Sequence, residues 1–222
     1  MVTVAEQRRM LWNDRWMRAV APRVVGRILN GRAPQPGWLP RRLVTVVSGD
    51  ADADAGVGAV WWVWRPRSAT AEAYTAVLEL GRSDGRWRYM GADSGPVASL
   101  PAARLPAGAP GQVGMIELGA GTGGVSRPYQ GSPLRAPWIE ANELRIAAEV
   151  DHLLVADRRI PLPPTGPLLI AWTSPSTGLG GTRPLILALA PDGTELSRIG
   201  PHDTLDTYTW AKLGGFDAPP AP

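Results

Sequence analysis

The chain of 222 residues has no cysteine, a single lysine, a single phenylalanine and two histidines. The absence of cysteine excludes a disulfide framework, a thiolate metal site and a cysteine nucleophile. Two isolated histidines offer little support for a zinc site. No stretch approaches the roughly 18 apolar residues of a membrane span, and the N-terminus lacks the apolar core of a signal peptide. We therefore expect a protein of the cytoplasm or of an assembled particle.

Glycine, proline and arginine are abundant instead. The 26 glycines and 23 prolines make up more than a fifth of the chain, which favours short strands over long helices. Nine arginines and only two acidic residues lie within residues 1–42, giving that segment a net charge of +7. Since the whole chain carries +3, the remainder carries −4.

The first 31 residues have a helical pattern. Apolar residues recur there at helical spacing, and the arginines fall mainly elsewhere. Pro22 suits the first turn of a second short helix that stops at Asn30-Gly31. The pattern predicts a basic amphipathic arm over residues 1–31, followed by a linker over 32–40. Its candidate partner-binding residues are Arg8, Arg9, Trp12, Arg15, Trp16 and Arg18.

The arm carries more apolar surface than a free helix should expose. It either folds back on its own body or buries that surface in a partner. We predict the second arrangement, in which the arm is a docking element that the body does not need for folding. An acidic protein, nucleic-acid phosphates or an anionic membrane would suit its arginines.

From Leu43 onward the apolar period changes from that of a helix to that of a strand. The pattern predicts a mainly β fold, either a β-sandwich or two small β subdomains over 41–105 and 106–215, with a flexible tail over 216–222. The expected strands are 43–47, 60–64, 74–80, 87–90, 113–118, 144–150, 152–155, 168–172, 185–190 and 195–199. Alternation in the second of these places Val60, Trp62 and Trp64 on one face and Trp61 on the other.

The two halves align at an offset of 108 residues. That offset pairs Trp64 with Trp172 and Asp84-Gly85 with Asp192-Gly193, although only five of 28 positions are identical. The order of elements predicts a duplication, in which both tryptophans occupy equivalent buried positions. The alternative is a set of unrelated hairpins, which share such patterns by default.

The Gly-Arg-Trp hairpin at 85–87, the Leu-Arg-Ile-Ala-Ala strand at 144–148 and the Ala-Trp strand at 171–172 resemble uncharacterised β-rich proteins of high-GC actinobacteria or their phages. The use of 22 arginines against one lysine is typical of a high-GC genome. This resemblance implies a β-rich fold and no particular activity.

Residues 115–124 read Met-Ile-Glu-Leu-Gly-Ala-Gly-Thr-Gly-Gly and resemble the glycine-rich motif of class I S-adenosylmethionine-dependent methyltransferases. The resemblance implies a cofactor held at a tight turn by Glu117, Gly119, Gly121 and Gly123. That family places a helix next, whereas prolines at 128, 133 and 137 interrupt the segment that follows here. We therefore expect a plain glycine turn after a buried strand, and no cofactor.

Asp50, Asp52 and Asp54 alternate like the ligands of a calcium loop. The match is incomplete, because the glycine falls one position late and Trp61 stands where a bidentate glutamate is needed. We expect a solvated acidic loop and no metal.

No intact catalytic constellation emerges from these motifs. The sequence therefore favours a non-enzymatic structural or adaptor protein that binds a macromolecular partner or its own copies, for instance within a larger phage-like assembly. Methyl transfer is the enzymatic alternative. Membrane-surface or nucleic-acid binding through the basic arm is the second alternative. No small-molecule substrate is inferred.

Overall fold

A computed structural model describes residues 4–81, 84–96, 103–126, 136–163, 166–175 and 181–214, with side chains from residue 14 onward. The fold of these residues is mainly β, as predicted. Its helices are α1 (Val4–Leu29) and α2 (Thr207–Lys212). Its strands are β1 (Val44–Asp52), β2 (Val57–Trp64), β3 (Glu72–Leu80), β4 (Trp87–Pro96), β5 (Ile116–Val125), β6 (Trp138–Ile146), β7 (His152–Val155), β8 (Arg158–Pro161), β9 (Leu168–Ser174), β10 (Ile186–Leu189) and β11 (Glu195–Ile199).

Strands β7 and β11 have the predicted bounds, and most other strands are longer than predicted. Two elements were missed. The Arg-Arg-Ile-Pro sequence of β8 is too short to show an alternating pattern, and the six residues of α2 are too few to show a helical period. The strand expected at 144–150 is wrong beyond Ile146, where the chain turns.

The strands form three sheets with the orders β1-β2-β3-β4, β11-β10-β7-β8 and β5-β6-β9. Two compact units result. Unit 1 comprises Met1–Ala98, Gly121–Ala141 and Leu169–Gly181, and unit 2 comprises Ser99–Ala120, Asn142–Leu168 and Thr182–Pro222. The units are discontinuous, unlike the predicted division into 41–105 and 106–215. The reason lies in the core of unit 1, which includes apolar side chains of β6 and β9 such as Ile139 and Leu169.

Strand β2 is the centre of unit 1, because both of its faces are buried. Val60 and Trp62 face one core cluster, against which Trp64 also packs. Trp61 faces a second cluster that includes residues of β6 and β9. The predicted division of the tryptophans between two faces is therefore confirmed.

Helix α1 is a layer of unit 1 and not a detached arm. Its buried residues recur every three or four positions and join the cluster around Trp62; they are Met17, Val20, Ala21, Val24 and Val25. The prediction of two helices is wrong, since Pro22 lies inside one continuous helix. The predicted stop is confirmed: Gly31 has a φ of +65°, and its N–H donates to the carbonyl of Ile28.

Both predicted Asp-Gly turns are present, at Gly85 (φ +62°) and Gly193 (φ +85°). The N–H of Arg86 lowers the pKa of Asp84, with a further contribution from the Arg88 guanidinium, and the N–H of Thr194 lowers the pKa of Asp192. The predicted duplication is nevertheless not seen in the topology. Strands β2, β3 and β4 share one sheet, whereas β9 lies in a different sheet from β10 and β11. Trp64 and Trp172 moreover both belong to unit 1.

Unit 2 is organised around the carboxylate of Asp206, which is completely buried. One oxygen accepts from the backbone N–H groups of Met115 and Ile116 at 2.8 and 2.9 Å and from the Ser197 hydroxyl at 3.0 Å. The other accepts from the Thr209 N–H at 3.0 Å and so caps α2. This one side chain therefore joins α2, β11 and the start of β5.

Candidate functional site

The glycine-rich segment forms neither the plain glycine turn that we expected after a buried strand nor the cofactor-binding turn that its resemblance to methyltransferases implies. Residues 116–125 are one strand, β5, and none of its glycines has a positive φ. Strand β5 runs antiparallel to β6, since Met115 accepts from Ala147 at one end and Ser126 donates to Pro137 at the other. Strand β5 therefore does not have the parallel pairing to β6 that a strand before a cofactor-binding turn would have.

The residues of that motif have structural roles. The Glu117 carboxylate accepts from the N–H groups of Val113 and Gly114 and lies 3.6 Å from Arg145. A Cβ at Gly119 would lie 3.1 Å from the Glu143 carbonyl oxygen, and one at Gly123 would lie 2.8 Å from that of Ile139. These two glycines are needed because β6 approaches closely, not because a ligand does. At Gly121 the chain is simply an exposed part of the strand.

A cleft of about 270 Å³ lies within unit 1 along β4 and β5. Its lining consists of Val77, Met90, Gly91, Ala92, Asp93, Thr122, Gly123, Gly124 and Val125. Asp93 is the one titratable side chain among these residues, so the described lining contains no acid–base pair.

The predicted solvent loop is wrong for Asp50, which lies in β1 and is only 8% exposed. Its carboxylate accepts from the N–H of Ala171 at 2.9 Å, and the Ser48 hydroxyl two residues earlier accepts from the N–H of Leu169 at 2.9 Å. Two side chains of β1 thus satisfy backbone donors of β9 that would otherwise be buried without partners. In the described ranges no three metal-ligating side chains converge.

The neighbouring acids behave as predicted for a turn. Asp52 ends β1 and accepts from the N–H groups of Asp54 and Ala55 at 3.0 and 2.9 Å. Asp54 is exposed. Only these two acids of the three therefore lie at the tip of the hairpin.

Replacement of Asp50 by alanine is expected to lower the free energy of unfolding of unit 1 by about 1–3 kcal/mol, because a buried N–H loses its acceptor. Asp54→Ala is the matched control and should change it by less than about 0.5 kcal/mol. Urea denaturation followed by tryptophan fluorescence measures both, since nine of the ten tryptophans belong to unit 1. Equal stabilities of the two variants would contradict the assigned role of Asp50.

The predicted partner-binding residues of the arm divide into three groups. The side chains of Arg8, Arg9 and Trp12 lie outside the described residues. Trp16 packs edge-on against Trp62 and Trp64, with ring centroids 5.3 and 5.5 Å apart, and is therefore part of the core of unit 1.

The remaining two residues of the arm are exposed. Arg18 pairs with Asp14 at 2.9 Å and lies over the ring of Tyr89. The guanidinium of Arg15 forms no ion pair and no hydrogen bond with another described residue. The helix thus offers less free binding surface than its sequence suggests.

A different surface of unit 1 combines exposed apolar and cationic side chains. It lies where the chain enters β1 and leaves β2, at Trp38, Arg41, Arg42, Leu43, Arg65 and Arg67. We call these six residues the basic aromatic surface. Trp38 is 54% exposed and Leu43 is 46% exposed, so two large apolar side chains lie in the surface with the arginines.

Hydrogen bonds hold the two halves of this surface together. The N–H of Arg65 donates to the Leu43 carbonyl at 2.7 Å, and Val44 pairs with Trp64 at the start of the ladder. Gln35 fixes the loop before β1, because its amide donates to the Leu39 carbonyl and accepts from the N–H of Val46. Trp38 is therefore presented by an anchored loop, next to a buried Leu39.

The charge of this surface is of one sign. None of its four guanidinium groups forms an ion pair with a described residue. The closest acid by strand register is Glu72, which faces Trp64 across the ladder and accepts from the Tyr74 hydroxyl. Unit 1 as a whole contains sixteen arginines and ten acidic residues, a net charge of +6. Such a surface attracts anionic macromolecules.

The sequence prediction assigned Trp38 and its neighbours to a linker and to the start of a strand. One signal was available. A tryptophan between Pro36 and Pro40, followed at once by Arg41 and Arg42, has little opportunity to enter a core. Its burial or exposure nevertheless depended on where the rest of the chain lies.

The fold and the surface define a mainly β protein with a basic aromatic patch on its first unit. The chain matches no protein-family model, and comparisons with curated proteins and with solved structures give no significant match. Neither described helix combines the length and apolar character that crossing a bilayer demands.

Proposed function

We propose that this protein is a non-enzymatic adaptor that binds a negatively charged macromolecular partner through the basic aromatic surface. One observation carries the proposal: Trp38, more than half exposed, lies in the loop that leads to Arg41 and Arg42, which like Arg65 and Arg67 have no acidic partner among the described residues. Tryptophan and arginine are the residue types most enriched in binding hot spots. The proposal therefore moves the binding role from the predicted arm to this surface.

The contribution of helix α1 to this function is structural. Its apolar stripe is occupied by the sheet, and the anchored loop that follows it carries Trp38. The proposal keeps the adaptor role that the sequence favours. Methyl transfer is not proposed, because the glycine-rich segment is an extended strand.

Binding of the full chain to immobilised heparin, used as a polyanion probe, tests the proposal. We expect the double variant Arg41→Gln/Arg42→Gln to elute at lower salt than the unaltered protein. The slope of the logarithm of affinity against the logarithm of salt concentration should fall by about 2, roughly one for each contact removed.

The matched control is Arg15→Gln/Arg23→Gln, which removes the same charge from exposed positions of α1 in the same unit. Its salt slope should stay close to that of the unaltered protein. If both double variants lose affinity equally, the net charge of unit 1 governs binding and the assignment to the basic aromatic surface is wrong.

Self-association is a second candidate, favoured by the opposite charges of the two units. Unit 2 contains seven basic and ten acidic residues, a net charge of −3, against +6 for unit 1. A second copy would then supply the acidic partner, as in a larger assembly. Sedimentation velocity at low and high salt tests this, and a monomer at every salt concentration would contradict it.

A further inference from the structure

Resting on the function proposed above, we propose that the partner of the basic aromatic surface is a lipid bilayer with anionic headgroups. Among anionic partners, a bilayer matches both the arginines and the exposed apolar side chains of this surface. Its headgroups attract arginine, and its interface accommodates tryptophan and leucine.

The apolar side chains distinguish a bilayer from a nucleic acid. Tryptophan is enriched at membrane interfaces, where its ring meets the acyl boundary and its N–H remains hydrated. It also stacks on nucleic-acid bases. Leu43 has no ring to stack, yet it is nearly half exposed beside the arginines, and insertion into the acyl boundary would bury it.

Part of the backbone at and next to the surface is already hydrogen-bonded. Within the loop, the N–H groups of Leu39 and Leu43 donate to the carbonyls of Pro36 and Pro40, at 3.1 and 2.9 Å. Across the neighbouring turn, the N–H of Ser68 donates to the Arg65 carbonyl at 2.8 Å. Groups that are satisfied within the protein can enter a poorly hydrated region without losing bonds to water.

None of the six residues of the surface is an asparagine or a glutamine. Base-edge recognition relies on asparagine or glutamine amides as well as on arginine. The amide of the nearby Gln35 is committed to Leu39 and Val46, where it holds the loop. The remaining polar groups of the surface are guanidiniums, which suit the phosphates of headgroups.

Sedimentation of the full chain with vesicles tests the proposal. We expect binding to vesicles of phosphatidylcholine and phosphatidylserine, and little binding to phosphatidylcholine alone. Arg41→Gln/Arg42→Gln should weaken binding about twenty-fivefold, on the basis of roughly fivefold for each arginine near an anionic surface. Trp38→Ala should weaken it about tenfold, since buried apolar area is lost without a change in charge.

Two controls accompany these variants. Arg15→Gln/Arg23→Gln should bind within about twofold of the unaltered protein, because these residues lie outside the surface. Leu43→Ser repeats the test of apolar insertion at a second exposed position and should also weaken binding. An unchanged urea midpoint for each variant shows that folding is intact.

The outcomes separate this proposal from the previous one. If the arginine variants change heparin binding but the unaltered protein does not bind anionic vesicles, the proposal of a bilayer partner is wrong and the proposed adaptor role stands. If single-stranded oligodeoxythymidylate binds more tightly than the vesicles, a nucleic acid is the partner and the bilayer is wrong. Vesicle binding that Trp38→Ala leaves unchanged also overturns the proposal.

Discussion

Replacement of Val24 by aspartate is expected to unfold unit 1 by lowering its free energy of unfolding by at least about 4 kcal/mol. Val24 is completely buried in the apolar cluster that α1 shares with the first sheet, around Val60 and Trp62. An ionised carboxylate there would lose its hydration, and a neutral one would still leave polar atoms in an apolar core. Urea denaturation followed by tryptophan fluorescence measures the loss.

Arg23→Asp is the matched control, because Arg23 is the exposed neighbour of Val24 on the same helix. It should change the free energy of unfolding by less than about 1 kcal/mol. Deletion of residues 1–31 should also lower the free energy of unfolding of unit 1, as Val24→Asp does, because it uncovers the face of the first sheet. A deleted protein whose first sheet still unfolds cooperatively would instead restore the prediction of a dispensable arm.

Replacement of Asp206 by alanine is expected to destabilise unit 2 by about 3–5 kcal/mol. The substitution leaves three backbone N–H groups and the Ser197 hydroxyl without the carboxylate that accepts from them. It also removes the N-cap of α2, a helix of six residues that is too short to form without tertiary support. Amide hydrogen exchange should show lost protection at Ile116 and Thr209.

Asp192→Ala is the control within unit 2, since Asp192 caps an exposed hairpin turn with a hydrogen bond to the N–H of Thr194. Its effect should be below about 1 kcal/mol. The destabilisation of unit 2 by Asp206→Asn should lie between those caused by Asp206→Ala and Asp192→Ala, because an amide keeps one acceptor oxygen and loses the other. If the Asp206→Ala and Asp192→Ala variants show the same amide hydrogen exchange at Ile116 and Thr209, the carboxylate of Asp206 does not organise the unit.

Local patterns predicted the strands well, because successive residues of a strand point to opposite faces. The run Val60–Trp64 shows this, and the assignment of Trp61 and Trp62 to opposite faces followed from alternation alone. The Asp-Gly turns were equally predictable, since positive φ angles at Gly85 and Gly193 favour glycine whatever the surroundings.

The site was less predictable, because the same pattern suits two different burial states. The apolar stripe of α1 would look identical whether it covered the sheet of its own unit or a partner. The sequence predicts that Asp50 and Asp52 lie in one acidic loop. Strand β1 nevertheless includes Asp50, whose carboxylate accepts a hydrogen bond from the backbone of β9. The glycines of β5 were expected to form a plain turn. They lie within a strand instead, and the closeness of β6 requires two of them.

The sequence by itself determined that the protein is mainly β, where helix α1 stops, which faces its central tryptophans take and that its first segment is basic. Each of these depends on interactions between residues close together in the chain. Only the tertiary structure decided that Asp50 meets Ala171, that Asp206 meets Met115, and that the carbonyl of the exposed Leu43 meets the N–H of Arg65. Those relations join residues from 22 to 121 positions apart, and the packing of whole elements sets them.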